Sequence, residues 1–152
     1  MLIQPKKISR LKWLQQKYHN NPKMEELRDL ILSCGGDAVL LPVVEDDLDK
    51  LLDRGLIYDP IDFEVKLILG EPCQCHRNSA NLWEANSDFP NRVLIVTGYG
   101  LTRDSDGIEL WRQHTWCFDT LESKIIETTE LRKLYFGVEL TKEESEKFVW
   151  EN

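Results

Sequence analysis

The stretch from 92 to 129 constrains the fold of this chain more than any other. "RVLIVTGYGLTR" (92–103) and "IELWRQHTWCF" (108–118) are rich in β-branched and aromatic residues and flank "DSDG", a short polar loop. That pattern predicts a long β-hairpin. "KIIETT" (124–129) follows another polar loop, "DTLE" (119–122), and extends the hairpin to an antiparallel meander. Most of what precedes it has helical periodicity. Ile8, Leu11, Leu14 and Tyr18 share one helical stripe; Met24, Leu27, Leu30 and Ile31 form a second, ending at Gly35-Gly36. "EDDLDKLLDRG" reads as a helix stopped by Gly55, "DAVLLPVV" as a short strand and "LIYDPIDFE" as a linker. "CHRNSANLWEAN" (75–86) predicts a helix led by Cys75, and "LTKEESEKFVW" a final helix whose Thr141 and Glu144 have capping-box spacing. Segregated helices and strands mean α+β. The chain reads as one domain over 1–152, with a helical part at 1–60, a core at 70–130 and a C-terminal helix at 131–152.

Composition excludes several classes of function. Of 152 residues, 41% are hydrophobic and 30% charged, which is the balance of a globular protein. No apolar run approaches the roughly 20 residues needed to span a bilayer, so no membrane partner is expected. The basic start, "MLIQPKKISRLKWLQQKYHNN", lacks the apolar segment of a signal peptide, and a cytoplasmic protein follows. A net charge of −8 argues against nucleic acid as a partner. Lys6, Lys7, Arg10, Lys12 and Lys17 read as the solvated face of the first helix.

The four cysteines, with no export signal, read as thiols, ligands or a nucleophile rather than a disulfide framework. "CQCHRNS" (73–79) concentrates two of them beside His76. Cys75 follows Pro72 closely and opens the predicted helix. A helix N-terminus favours an anion, which lowers a thiol's pKa. A nucleophilic thiolate further needs a histidine, and the histidine an orienting group. Along 108–118, alternation puts Ile108, Leu110, His114, Trp116 and Phe118 on one face and Glu109, Trp111, Gln113, Thr115 and Cys117 on the other. His114 therefore shares the more apolar face, expected to lie under a helix. With "DTLE" as the loop, Phe118 pairs with Ser123 and His114 with Glu127; a register two residues further on puts Thr129 there instead. Cys75, His114 and Glu127 thus supply nucleophile, base and orienting acid, with Asn78 and Ser79, one turn beyond Cys75, as candidate substrate contacts. No cofactor is required.

Zinc is the rival reading. Cys73, Cys75, His76 and His114, with Cys117, offer soft ligands, and Cys73-x-Cys75 can chelate. The spacing matches no Cys-x₂-Cys ribbon, and Cys117 and His114 face opposite sides of their strand. Buried cysteines beside a structural histidine, in a noncatalytic interaction module, are the plainer alternative.

A cysteine at a helix start, a histidine on a later strand and an acid on the next resembles the papain-like superfamily. The closest likeness is its compact transglutaminase and arylamine N-acetyltransferase branch. "HTW" and "IIETT" are similar to its histidine and acid strands, with glutamate where aspartate is more usual. The resemblance covers about residues 70–130. It implies a papain-like core and a cysteine-dependent hydrolase or acyltransferase acting on a peptide, protein or small-molecule amide or thioester. On that reading Cys75→Ala abolishes turnover, His114→Ala is nearly as damaging, and Glu127→Gln is milder because it retains an acceptor for the ring.

Overall fold

The expected hairpin is the spine of the sheet in the computed structural model, which describes residues 10–14 and 21–152. Ile8, Tyr18, Lys6, Lys7 and Lys17 lie outside the described residues. Residues 10–14 are helical; Lys12 is exposed, and the partly exposed Arg10 pairs with Asp104 at 2.6 Å.

Helix α1 (Pro22–Ser33) begins where Asn21 accepts a hydrogen bond from the Met24 amide at 3.2 Å, with proline in its first turn. It buries Met24, Leu27 and Ile31. Strand β1 (Ala38–Val39) and helix α2 (Leu48–Arg54) follow, then β2 (Leu56–Tyr58) and β3 (Val65–Leu67). Helix α3 (Cys75–Ala85) leads into the long strands β4 (Val93–Arg103) and β5 (Glu109–Asp119), then β6 (Lys124–Glu127), β7 (Tyr135–Glu139) and helix α4 (Lys142–Glu151). The capping box expected at Thr141 and Glu144 is present. The architecture is α+β.

Strands β4 and β5 pair without a bulge from Val93↔Asp119 to Arg103↔Glu109. Asp104 closes their turn by accepting hydrogen bonds from the Asp106 and Ile108 amides at 2.9 and 3.0 Å. The sheet order is β2-β7-β4-β5-β6-β3, with β1 also paired to β5. Three features depart from the sequence expectation. The supposed linker supplies β2; the 131–152 region supplies β7; and β1 and β3 pair in parallel, so the sheet is mixed rather than a pure meander. Strands of two to five residues are too short for alternation to identify them, and their neighbours sustain them. Gly137 of β7 leaves room for an aromatic neighbour: a β-carbon there would lie 2.6 Å from Trp116 Cη2.

Both faces of the sheet are covered. Ile95, Tyr99, Leu101, Trp111, Cys117, Ile126, Phe136 and Val138 pack with Met24, Leu27 and Ile31 of α1 and Leu51 of α2. The opposite face carries Val96, Trp116, Phe118, Ile125 and Tyr135, packed with Tyr58 of β2 and flanked by Phe63 and Val65. His114 shares the parity of Trp116, so it lies on the aromatic face rather than under the helices. Alternation sorts residues into faces but does not say which layer covers each. Each large apolar side chain so buried contributes about 1.5–3 kcal/mol.

One detail of the sheet positions the site. Strand β4 takes one whole edge of β5. On the other edge β1 pairs only at Leu110 and Trp111, and β6 only from Cys117 onward. His114 sits in the unpaired window between them.

Candidate active site

Cys75 is the first residue of α3, and the first amide bonded within that helix is Asn78 N–H, which donates to Gln74 O at 2.8 Å. The thiol therefore sits at the partially positive end of the helix. The chain enters this turn through Cys73, whose φ of 61° is left-handed. Asn78 secures the entry: its amide donates to Glu71 O at 2.9 Å and its carbonyl accepts from the Glu71 amide at 3.2 Å. Asn78 and Ser79 are both buried, and neither lines the cavity that holds Cys75. Asn78 ties the loop to its helix, while Ser79 lies beneath the sheet, its carbonyl accepting from the Cys117 thiol at 3.6 Å.

His114 and Glu127 meet on one face, as expected, but by a different register. The turn runs one residue later, so Asp119 pairs with Lys124 and Phe118 with Ile125. Asp119 holds it there by accepting from the Leu121 and Glu122 amides at 2.9 and 3.1 Å, and Ser123 takes a left-handed φ of 54°. Moving the loop by one position on each strand leaves parity unchanged, so Glu127 stays on the face of His114 and reaches it diagonally. His114 Nε2 donates to Glu127 Oε1 at 2.7 Å. This pair is buried, with His114 1% and Glu127 0% exposed.

A buried carboxylate is costly unless its lone pairs are satisfied. Glu127 Oε1 also accepts from the Tyr135 hydroxyl at 2.9 Å, and Oε2 from the Thr128 and Thr129 amides at 2.9 and 3.0 Å and the Thr129 hydroxyl at 3.2 Å. Burial would raise its pKa, but the His114 hydrogen bond and charge, with these donors, hold it below the usual glutamate range. Burial would lower the His114 ring's pKa, yet its neighbours Cys75 and Glu127 hold it above the usual histidine range. The ring stacks on Trp116 at 5.9 Å, which fixes its plane.

With Nε2 given to Glu127, Nδ1 is the remaining ring nitrogen, and Arg132 Nη2 lies 3.4 Å from it. Burial alone would raise the Cys75 thiol, but neighbouring His114 and then His76 bring it down to about 5. His76 Nδ1 lies 3.5 Å from Sγ, and its ring stacks on Phe148 at 5.5 Å. All four cysteines are free. Cys117 differs sharply from Cys75: burial pushes its thiol up to about 12. Among the described residues no three His, Cys, Asp or Glu side chains are placed to hold a metal ion, so Cys73, Cys75, His76 and His114 are not gathered as ligands.

Cys75 and His114 open onto a cavity of about 440 Å³ lined by Leu69, Cys73, Gln113, Thr129, Glu130 and Arg132 among others. A larger, apolar cavity of about 520 Å³ lies at the far end of α3, around Trp83, Phe89 and Leu140, and holds none of these groups. Sequence reasoning missed Arg132, whose Nη2 is 3.4 Å from His114 Nδ1, and Tyr135 beneath Glu127. Recognising 135–139 as a strand would have brought Tyr135 next to the site; nothing in the sequence marks Arg132.

Compared with protein families, curated proteins and solved structures, the chain matches none of them. Among the described residues no helix is long and apolar enough to cross a membrane.

Proposed function

We propose that this protein is a cysteine-dependent hydrolase or acyltransferase of papain-like type that acts on an amide or thioester in the cytoplasm. The observation that carries the reading is the buried His114–Glu127 pair, joined at 2.7 Å, in the wall of the cavity onto which Cys75 opens. The Cys75 thiolate attacks the substrate carbonyl carbon. The imidazolium of His114 delivers its proton to the departing amine or thiolate, leaving an acyl group on sulfur. Neutral His114 then takes a proton from water or an acceptor nucleophile, which attacks the acyl carbon and frees the thiolate. Glu127 stays ionised throughout and steadies the ring's charge. The Cys75 amide, at the helix start, is a natural donor to the developing oxyanion. A net charge of −8 favours a substrate other than nucleic acid.

Brief incubation with a small acyl thioester, followed by mass spectrometry of acid-quenched protein, tests this. An acyl adduct should appear on Cys75 and be lost in His114→Gln. Adducts spread over Cys34, Cys73 and Cys75 alike, unaffected by His114→Gln, would sink the proposal.

A further inference from the structure

Arg132 stands out among the groups of the cavity because, among the described residues, its charge meets no carboxylate. Its Nη2 lies 3.4 Å from His114 Nδ1, and its Nη1 donates to the backbone oxygen of Glu130. It forms no ion pair with a described carboxylate; Glu130, although in the cavity wall, offers it only that main-chain carbonyl. The side chain is nevertheless held in place. Its stem lies across β4 at Gly100, where a β-carbon would come 2.7 Å from Arg132 Cγ. The Arg132 amide donates to the Tyr135 hydroxyl at 3.1 Å, and the same hydroxyl donates to Glu127. Arg132 is thus built into the network that holds the candidate acid and base.

A guanidinium there works against the ion pair, since it opposes positive charge on His114. A cation so placed, half-buried and unpaired, is complementary to an anion entering the cavity. A single guanidinium near Glu130, in a chain of net charge −8, suits a monoanionic carboxylate better than a dianionic phosphate.

We infer that Arg132 is a specificity-determining residue that receives a substrate carboxylate, so that the substrate is an amide or thioester whose acyl group carries a carboxylate close to the scissile carbonyl. This rests on the proposed Cys75 nucleophile. The planar fork receives the carboxylate through paired N–H donors, which directs the carbonyl carbon toward Sγ. With the substrate anion bound, the guanidinium charge is neutralised and its opposition to the imidazolium is relieved.

Two alkylating reagents that differ in charge give the test without a known substrate. Iodoacetate carries a carboxylate; iodoacetamide is its neutral counterpart. The ratio of their rates at Cys75, read site by site by mass spectrometry and referred to an unstructured cysteine peptide, should favour iodoacetate. Arg132→Met, which keeps the stem over Gly100, should lower that ratio roughly fivefold, as expected for loss of one charge a few ångströms from the reacting carbon. Arg132→Lys should keep most of it, and added salt should narrow the gap between wild type and Arg132→Met. Acetate, a monocarboxylate, should slow iodoacetamide at Cys75 in the wild type and not in Arg132→Met. An equal ratio in wild type and Arg132→Met, with Cys75 still fast to iodoacetamide, overturns the carboxylate site and leaves the nucleophile standing. Inorganic phosphate protecting better than acetate overturns the choice of carboxylate. At about pH 6, reaction of Cys75 in the wild type no faster than the peptide with either reagent overturns the nucleophile, and this inference with it.

Discussion

The pH dependence of alkylation should distinguish Cys75 from an ordinary thiol, and its size can be worked out. The Cys75 thiol is held down to about 5 by His114 and His76 against the opposing effect of burial. An ordinary thiol, with a pKa of about 8.5, is roughly 0.3% ionised at about pH 6, whereas Cys75 is ionised to about 90%, a gain of roughly 300-fold in thiolate. Part of that gain is lost because a weaker base is a weaker nucleophile. With a Brønsted coefficient of about 0.45 over roughly 3.5 pH units, each Cys75 thiolate reacts about 40-fold more slowly. The net advantage is roughly 8-fold at about pH 6, and it reverses near pH 7, above which an ordinary thiol overtakes it. The assay is iodoacetamide labelling between about pH 5 and 9, quantified for each cysteine and for an unstructured cysteine peptide. Cys75 should rise through about pH 5 and then level off, while the peptide climbs past it. Cys117, buried and pushed up to about 12, should stay unlabelled in the folded protein. A Cys75 profile that keeps climbing through about pH 8 with the peptide would refute the ion pair.

Three substitutions test the ion pairs of the site and of the α4 start. Glu127→Gln should be as damaging as removing the histidine, contrary to what the sequence alone suggests: the Thr128 and Thr129 amides require the side-chain oxygen at Oε2, so the amide nitrogen turns toward His114 Nε2. That nitrogen donates, forcing the neutral ring with its proton on Nδ1, and Cys75 labelling at about pH 6 should fall roughly tenfold; labelling within twofold of wild type would disprove the tautomer argument. His114→Ala should slow labelling similarly and, by leaving the buried Glu127 without its partner, lower stability by about 3–5 kcal/mol in chemical denaturation; an unchanged midpoint would mean the pair is not formed. Glu144, which receives Arg54 at 2.8 Å and caps α4, is held down to about 2: burial would raise it, but Arg54, the Thr141 amide and Lys50 prevail. Its lowered value means stability that is present above about pH 4.5 and lost as pH falls toward 2. Glu144→Gln should therefore cost about 1–2 kcal/mol at neutral pH and progressively less below about pH 4.5; a pH-independent difference would remove the charge from the explanation.

Short-range patterns in the chain determined the elements that lie near one another in sequence. The β4–β5 hairpin, the α3 start at Cys75, the α4 capping box and the shared face of His114 and Glu127 all follow from turn chemistry, capping and period-two alternation. The shared face was legible even though the register was misplaced. A shift of one residue on each strand preserves parity, so Glu127 remained beside His114 while its direct opposition did not. Tertiary structure decided what depends on distant segments. Strands β2, β3 and β7 are too short to announce themselves, and they exist because β7 adds to β4, β2 to β7 and β3 to β6. The window in the edge of β5 is produced by two partners, β1 and β6, that come from opposite ends of the sequence and stop short of each other. Arg132, in coil before β7, became part of the site only when β7 paired with β4 and carried it to Gly100 and the His114 ring. No local pattern encodes such an approach, because Gly100 and His114, against which the arginine lies, are brought to it only by the pairing of the sheet.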